Sequence, residues 1–256
     1  MENKRRLIQN ILTIVLFALA LALGGNYIHD KWQDHQQALL QEQLRVEMEI
    51  ARAEAEAARA EAEAQAYAEE IEKTHLLAAL EATNPDTVAW LDVKGTPIQY
   101  PITQTTNNEY YLKTSFQREP YKFGSIYMDY RNDPYLSDFN TIIYGHTFPN
   151  DENMFGSLQR YRDQSFWDEH RTITVMLDKK YYDYEIFSVY VTEPDYDYRT
   201  PNYKTQEKTD AFLREIREKS LIKSDATVTA ADHIITLSTC TYDFNDARYA
   251  VHAVRT

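Results

Sequence analysis

Residues 234–254 read IITLSTC, TYDFNDA, RYAVHAV. The outer blocks are apolar and β-branched, and the middle block is polar. That pattern predicts two strands joined by a loop. Alternation along the first strand puts Thr236, Ser238 and Cys240 on one face. A short loop returns the chain antiparallel, so Arg248, which opens the second strand, can lie close to Cys240.

Working outward from this pair, strand-like runs recur with turn signals between them. They are Val88–Leu91, Ile98–Ile102, Gly124–Met128, Thr141–Tyr144, Thr172–Leu177 and Tyr181–Thr192. Many short strands spaced by turns predict a sandwich or a barrel. Two helices interrupt them. Met154, Leu158 and Tyr161 fall at helical spacing after Asp151-Glu152. Thr205–Ser220 carries Phe212, Leu213 and Ile216 on one stripe, with acidic residues early and basic residues late. Asn84-Pro85-Asp86 breaks whatever helix precedes it, because proline disfavours helix in the residue before it. Residues 81–256 are therefore expected to form one globular domain.

Before that break the composition changes character. Lys4, Arg5 and Arg6 precede an uncharged stretch, residues 7–28, whose centre from Ile11 to Leu23 is almost purely apolar. As a helix it spans about 33 Å, enough for a hydrocarbon core of about 30 Å. The basic cluster predicts a cytoplasmic N-terminus and an extracellular bulk. Residues 1–32 thus read as a cytoplasmic tip and a single-pass transmembrane anchor. A cleavable signal peptide is the rival, since Ala18-Leu19-Ala20 and Ala20-Leu21-Ala22 resemble cleavage sites. Residues 33–80 are rich in Ala and Glu, with 11 acidic and 4 basic residues. Arg45, Arg52 and Arg59 recur every seventh residue, as do Glu49, Glu56, Glu63 and Glu70. The segment reads as a helical spacer. A coiled coil is the sharper alternative, although its seam is mostly Ala.

The net charge of −13 argues against a nucleic-acid partner, which needs a basic face. The acidic residues form no metal-ligand cluster and there is no Gly-rich phosphate loop, so no metal or cofactor is expected. Cys240 is the single cysteine. A buried thiol acting as a small hydrophobe is the bland reading. At the rim of a strand beside an arginine, the thiol is instead suited to nucleophilic chemistry, since a cation favours thiolate and can hold an oxyanion. Of seven histidines, His29, His35 and His75 lie near the membrane or in the spacer. His170 sits in a polar segment, and His233 and His252 read as structural. His146 follows Ile142-Ile143-Tyr144-Gly145, so a loop past a buried strand can aim it into a cleft.

Together these residues resemble a known family. Thr236-Leu237-Ser238-Thr239-Cys240 is similar to the TLxTC motif of sortases. Arg248 falls where those enzymes carry an active-site arginine, and Tyr144-Gly145-His146 is similar to their histidine-bearing strand end. Asn84–Trp90, Asn108–Leu112, Met154–Leu158 and the helix from Thr205 resemble class B members. The resemblance covers roughly residues 80–256. It implies a mainly β fold, a closed sortase-type β-barrel with added helices, which would follow the long N-terminal helix and the transmembrane helix read from composition. It also implies a cysteine transpeptidase. Cys240 would attack the Thr carbonyl of a sorting motif of Asn-Pro-x-Thr or related type, near the C-terminus of a surface protein. His146 would protonate the leaving amine, and Arg248 would hold the carbonyl oxygen. The acyl group would pass to an amine of a cell-wall precursor or to a pilin. By the same similarity Asn108, Leu112, Tyr203, Ser238 and Thr241 are expected substrate contacts. Two other readings stand beside this one. The first is a peptidase that only hydrolyses, with Asp243 or Asp246 orienting the histidine. The second is a non-catalytic module displayed on a stalk.

Overall fold

Good helix formers and the absence of proline before Pro85 let one helix run unbroken. In the computed structural model that helix, α1, spans Glu2–Thr83. The structure describes residues 2–149, 151–178 and 180–256. The side chains of residues 2–10, 30, 69, 70 and 72–74 lie outside that description, and with them Lys4, Arg5, Arg6 and Glu70. The chain divides into two compact units, Met1–Ala68 and Glu69–Thr256.

In the first unit α1 exposes its apolar residues from Ile11 to Leu23, and the helix is long and apolar enough to cross a membrane. Further along, Arg45 donates to Glu42 at 2.9 Å. This pair has glutamate on the N-terminal side, the better order on a helix.

In the second unit α1 stops one residue before Asn84-Pro85. Asn84 is fully buried and donates to the Tyr111 hydroxyl at 2.8 Å and to the Phe116 carbonyl at 2.9 Å. The strands are β1 (Thr87–Val93), β2 (Gln99–Thr103), β3 (Tyr127–Met128), β4 (Asn140–Tyr144), β5 (Thr172–Leu177), β6 (Lys180–Thr192), β7 (Ile234–Cys240) and β8 (Arg248–Arg255). They close a barrel in the order β1-β2-β3-β4-β7-β8-β6-β5. The β2–β3 and β4–β7 pairs are parallel and the remaining pairs antiparallel.

Period-two alternation decides which side chains fill the barrel. In β1, Ala89, Leu91 and Val93 point into the core. In β7, Ile235 and Leu237 do so, while Ile234 faces outward. The outer face over β6, β7 and β8 is covered by α3 (Gln206–Glu218). Its Phe212, Leu213 and Ile216 pack with Phe187, Tyr190, Ile234, Ala250 and Val254. Burying the Ile216 side chain contributes about 1.5–3 kcal/mol. Thr205 caps α3 by accepting from the Lys208 backbone N–H.

The expected helix after Asp151-Glu152 is corrected by the structure. Met154 has φ +51, and the segment turns tightly before a 3-10 helix at Gly156–Arg162. A Cβ at Gly156 would collide with the Asp151 carbonyl, so the chain there is too tight for an α-helical turn. A short helix unexpected from sequence, α2 (Gln164–Glu169), follows, with Asp163 as its N-cap. Buried Trp167 ties it to β6 by donating to the Ile186 carbonyl at 2.8 Å.

Candidate active site

Three adjacent strands bring the reactive side chains to one rim. Parallel β4 and β7 set Tyr144 against Ser238. The Gly145 N–H continues the ladder to the Ser238 carbonyl at 3.2 Å. His146 lies two residues past the end of β4, in the loop that follows the strand. On the other flank, antiparallel β8 sets Arg248 directly opposite Cys240. A cavity of about 280 Å³ opens there, and Cys240, His146 and Arg248 all line it.

Cys240 is an exposed free thiol. His146 is held on two sides. Its Nε2 lies 2.9 Å from the Leu112 carbonyl, which only accepts, so Nε2 carries the proton. Its ring stacks on Phe148 at 5.6 Å between centroids. The Leu112 carbonyl is in place because Gly124, at φ +57, packs against it. A Cβ at that position would sit 2.7 Å from the same oxygen. Arg248 is anchored through Nη1, which donates to the Asp246 carbonyl at 2.6 Å and the Ala247 carbonyl at 3.3 Å. Its Nε and Nη2 make no hydrogen bond among the described residues.

Asn108, Leu112 and Ser238 also line the cavity. The Ser238 hydroxyl is bonded to that of Tyr198 at 2.8 Å, beneath the thiol on the same face of β7. Tyr203 and Thr241 are not brought to this wall. Tyr203 packs its ring on Phe139 and Phe212, beside α3. The Thr241 hydroxyl donates to Asp243 at 2.5 Å and lines a second cavity, of about 550 Å³. Asp243 also accepts two hydrogen bonds from Arg162, at 2.5 and 2.9 Å. Arg162, and then Thr241, hold its carboxyl down at about 2.

Sequence reasoning assigned no site role to five lining residues: Tyr127, Tyr144, Gly145, Arg199 and Thr239. The two tyrosines are register partners with ring centroids 5.2 Å apart. Burial, and then the Asp129 carboxylate, push both hydroxyls up, and in Tyr127 Cys240 adds to the shift. Both therefore keep their protons. Arg199 comes from the loop after β6 and carried no sequence signal. Its backbone is held by Arg131, whose Nη2 donates to the Arg199 carbonyl at 2.8 Å. His252 is the bland histidine expected: fully buried, with burial lowering it to about 3. It is bonded to Tyr190 and Thr236 at 2.9 and 2.8 Å. Among the described residues no cluster of His, Cys, Asp and Glu is arranged to hold a metal.

The closed barrel has counterparts among known proteins. Residues 91–256 match the Sortase domain family. Sortase B of Staphylococcus aureus (strain NCTC 8325 / PS 47) is 33% identical over 242 residues, 94% of this chain and 91% of that protein. The structure of a Staphylococcus aureus sortase B–substrate complex matches with a TM-score of 0.66 at 37% identity, over 70% of this chain and 84% of that one. A sortase B complexed with triglycine matches with a TM-score of 0.65 at 37% identity, over the same shares of the two chains. The chain belongs to the sortase family, among its class B members, which are cysteine transpeptidases.

Proposed function

We propose that this protein cleaves a sorting motif after Thr and joins the freed carboxyl to an amine, with Cys240, His146 and Arg248 as its catalytic residues. The observation that carries the reading is that Cys240, His146 and Arg248 line one cavity, with Arg248 paired directly opposite Cys240. The Cys240 thiol gives its proton to His146, and its sulfur attacks the Thr carbonyl carbon. A C–S bond forms, the carbonyl oxygen takes negative charge, and Arg248 donates to that oxygen. His146 gives a proton to the departing amine as the C–N bond breaks. An incoming amine then attacks the thioester and gives its proton to His146, the C–S bond breaks, and His146 returns the proton to the Cys240 sulfur. Asn108, Leu112 and Ser238 are the proposed substrate contacts of the wall.

The substrate class is a surface protein with an Asn-Pro-x-Thr or related motif near its C-terminus. The acceptor is an amine of a cell-wall precursor or of a pilin. The relatives solved as a substrate complex and with triglycine support a peptide donor and an amine acceptor, since a glycine peptide begins with a free amine. Residues 1–32 serve as cytoplasmic tip and single-pass anchor, with residues 7–28 crossing the membrane. Residues 33–80 act as the spacer, and residues 81–256 form the catalytic domain on the extracellular face.

Two contacts count against the hydrolytic Cys–His–Asp reading. The His146 Nε2 proton goes to the Leu112 carbonyl rather than to a carboxylate, and Asp243 is committed to Arg162. The test uses the full chain in detergent with quenched sorting peptides, with and without an amine acceptor. The expected result is peptide joined to the amine. Hydrolysis alone, unaffected by the amine, would rule the transpeptidation out for this protein.

A further inference from the structure

Behind the cavity wall lies a charged group that the reaction does not use. Asp129 follows β3 and is wholly buried. Burial pushes its carboxyl up, but the hydrogen bonds from Arg131 and Tyr144 outweigh that and hold it below the usual carboxylate range. Oδ1 accepts from Arg131 Nε and from the Arg131 backbone N–H, each at 2.9 Å. Oδ2 accepts from Arg131 Nη2 at 2.8 Å, from the Tyr144 hydroxyl at 2.8 Å and from Asn108 Nδ2 at 3.0 Å. Tyr144 and Asn108 both line the Cys240 cavity.

The chemistry of this hub is one-sided. An ionised carboxylate accepts and has no proton to give. The Tyr144 hydroxyl therefore commits its proton to Asp129, leaving only oxygen lone pairs for the cavity. Asn108 turns Nδ2 toward Asp129, and its Oδ1 accepts from the Tyr130 N–H at 3.0 Å. Its amide cannot flip without facing donor to donor and acceptor to acceptor. One Nδ2 hydrogen is what Asn108 has left to donate.

We propose that Asp129 is a positioning residue that fixes the hydrogen-bond polarity of the substrate wall. It makes Tyr144 an acceptor and Asn108 a donor, so the wall selects a peptide or carboxamide group that gives an N–H to Tyr144 and a C=O to Asn108. The inference rests on the reading of this cavity as the peptide site. Arg131 keeps the carboxylate ionised and, through the Arg199 carbonyl, ties the loop after β6 to the same wall.

The test compares wild type, Asp129→Asn, Tyr144→Phe and the double variant as full chains in detergent. Each is assayed for peptide kcat and KM and for the rate at which iodoacetamide alkylates Cys240, which reads the thiol without the peptide. Asp129→Asn is expected to raise KM about tenfold, the worth of one well-made hydrogen bond. The kcat and the alkylation rate should stay within about twofold of wild type. The double variant should lose no more than the worse single one, because what Tyr144→Phe removes is contained in what Asp129→Asn removes. An unchanged KM, an equal fall in kcat and alkylation, or losses that multiply would each overturn the proposal. Should Asp129→Asn not fold, Arg131→Lys carries the test, since it keeps a cation but not the two-pronged grip. A KM raised about threefold or more at constant kcat supports the proposal, and an unchanged KM overturns it. Wild-type protein that alkylates normally but turns over no peptide would instead sink the functional reading on which the inference rests.

Discussion

Cys240, His146 and Arg248 were legible as candidates because each stands at a place where a strand pattern ends or begins. What orients them was not. The partner of His146 is a backbone carbonyl from residue 112, and its place depends on Gly124 at φ +57. A lone glycine 22 residues upstream of the histidine carries no such message in sequence. Gly124→Ala would force strain at a left-handed backbone position and press a methyl on the Tyr111 and Leu112 carbonyls. We expect a loss of about 1–3 kcal/mol, together with a fall in kcat, because the change moves the Leu112 carbonyl that holds His146. Thermal unfolding and steady-state kinetics on the same preparation check this. A destabilised variant with normal kcat would mean that the Leu112 carbonyl is not what orients His146. Asp129 was equally hidden: its partners Asn108 and Tyr144 come from separate loops and strands that only the closed barrel brings together.

At the level of elements, the strands were readable because alternation and turn chemistry agree along most of them. The helix after Asp151 misled because Met154, Leu158 and Tyr161 have helical spacing while the backbone at Met154 and Gly156 does not allow a continuous α-helix. The β7–β8 loop shows what sequence leaves out at this scale. Asp243 had the composition of a histidine-orienting acid, yet Arg162, 81 residues away, claims it. The pairing has a pH signature. The Asp243 carboxyl lies near 2 in the fold, held down first by Arg162 and then by Thr241, against about 3.9 when unfolded. Its contribution to stability is therefore full above about pH 4 and is lost as pH falls through about 2. Asp243→Asn should flatten that part of the stability–pH curve, while activity with sorting peptide at neutral pH persists. Loss of acylation in Asp243→Asn with the fold intact would restore the Cys–His–Asp alternative. Thr205 makes a simpler case: Thr205→Ala removes the cap of α3 and should cost about 0.5–2 kcal/mol by denaturant unfolding.

On the scale of the whole molecule, an acidic chain with an apolar N-terminal helix and one closed barrel suits a membrane-tethered enzyme more than one that binds nucleic acid. A charge in the centre of the apolar stretch tests the tether. Leu16→Arg places about 2.5–3.5 kcal/mol against insertion and should shift the protein from the membrane pellet toward the supernatant with its peptide kinetics intact. An unshifted distribution would argue against residues 7–28 as the anchor. The sorting motif was not legible because loops from separate parts of the chain shape the wall, and their meeting is a property of the closed barrel. Beneath all of this stands the claim that Cys240 carries the acyl group. Its most direct measurement is the intact mass of the full chain mixed with sorting peptide and no amine acceptor, then quenched in acid. A single adduct equal to the peptide portion up to Thr, absent from Cys240→Ala and discharged by an added amine, is the predicted result. Turnover of the peptide with no adduct on Cys240, or with Cys240→Ala fully active, would contradict it.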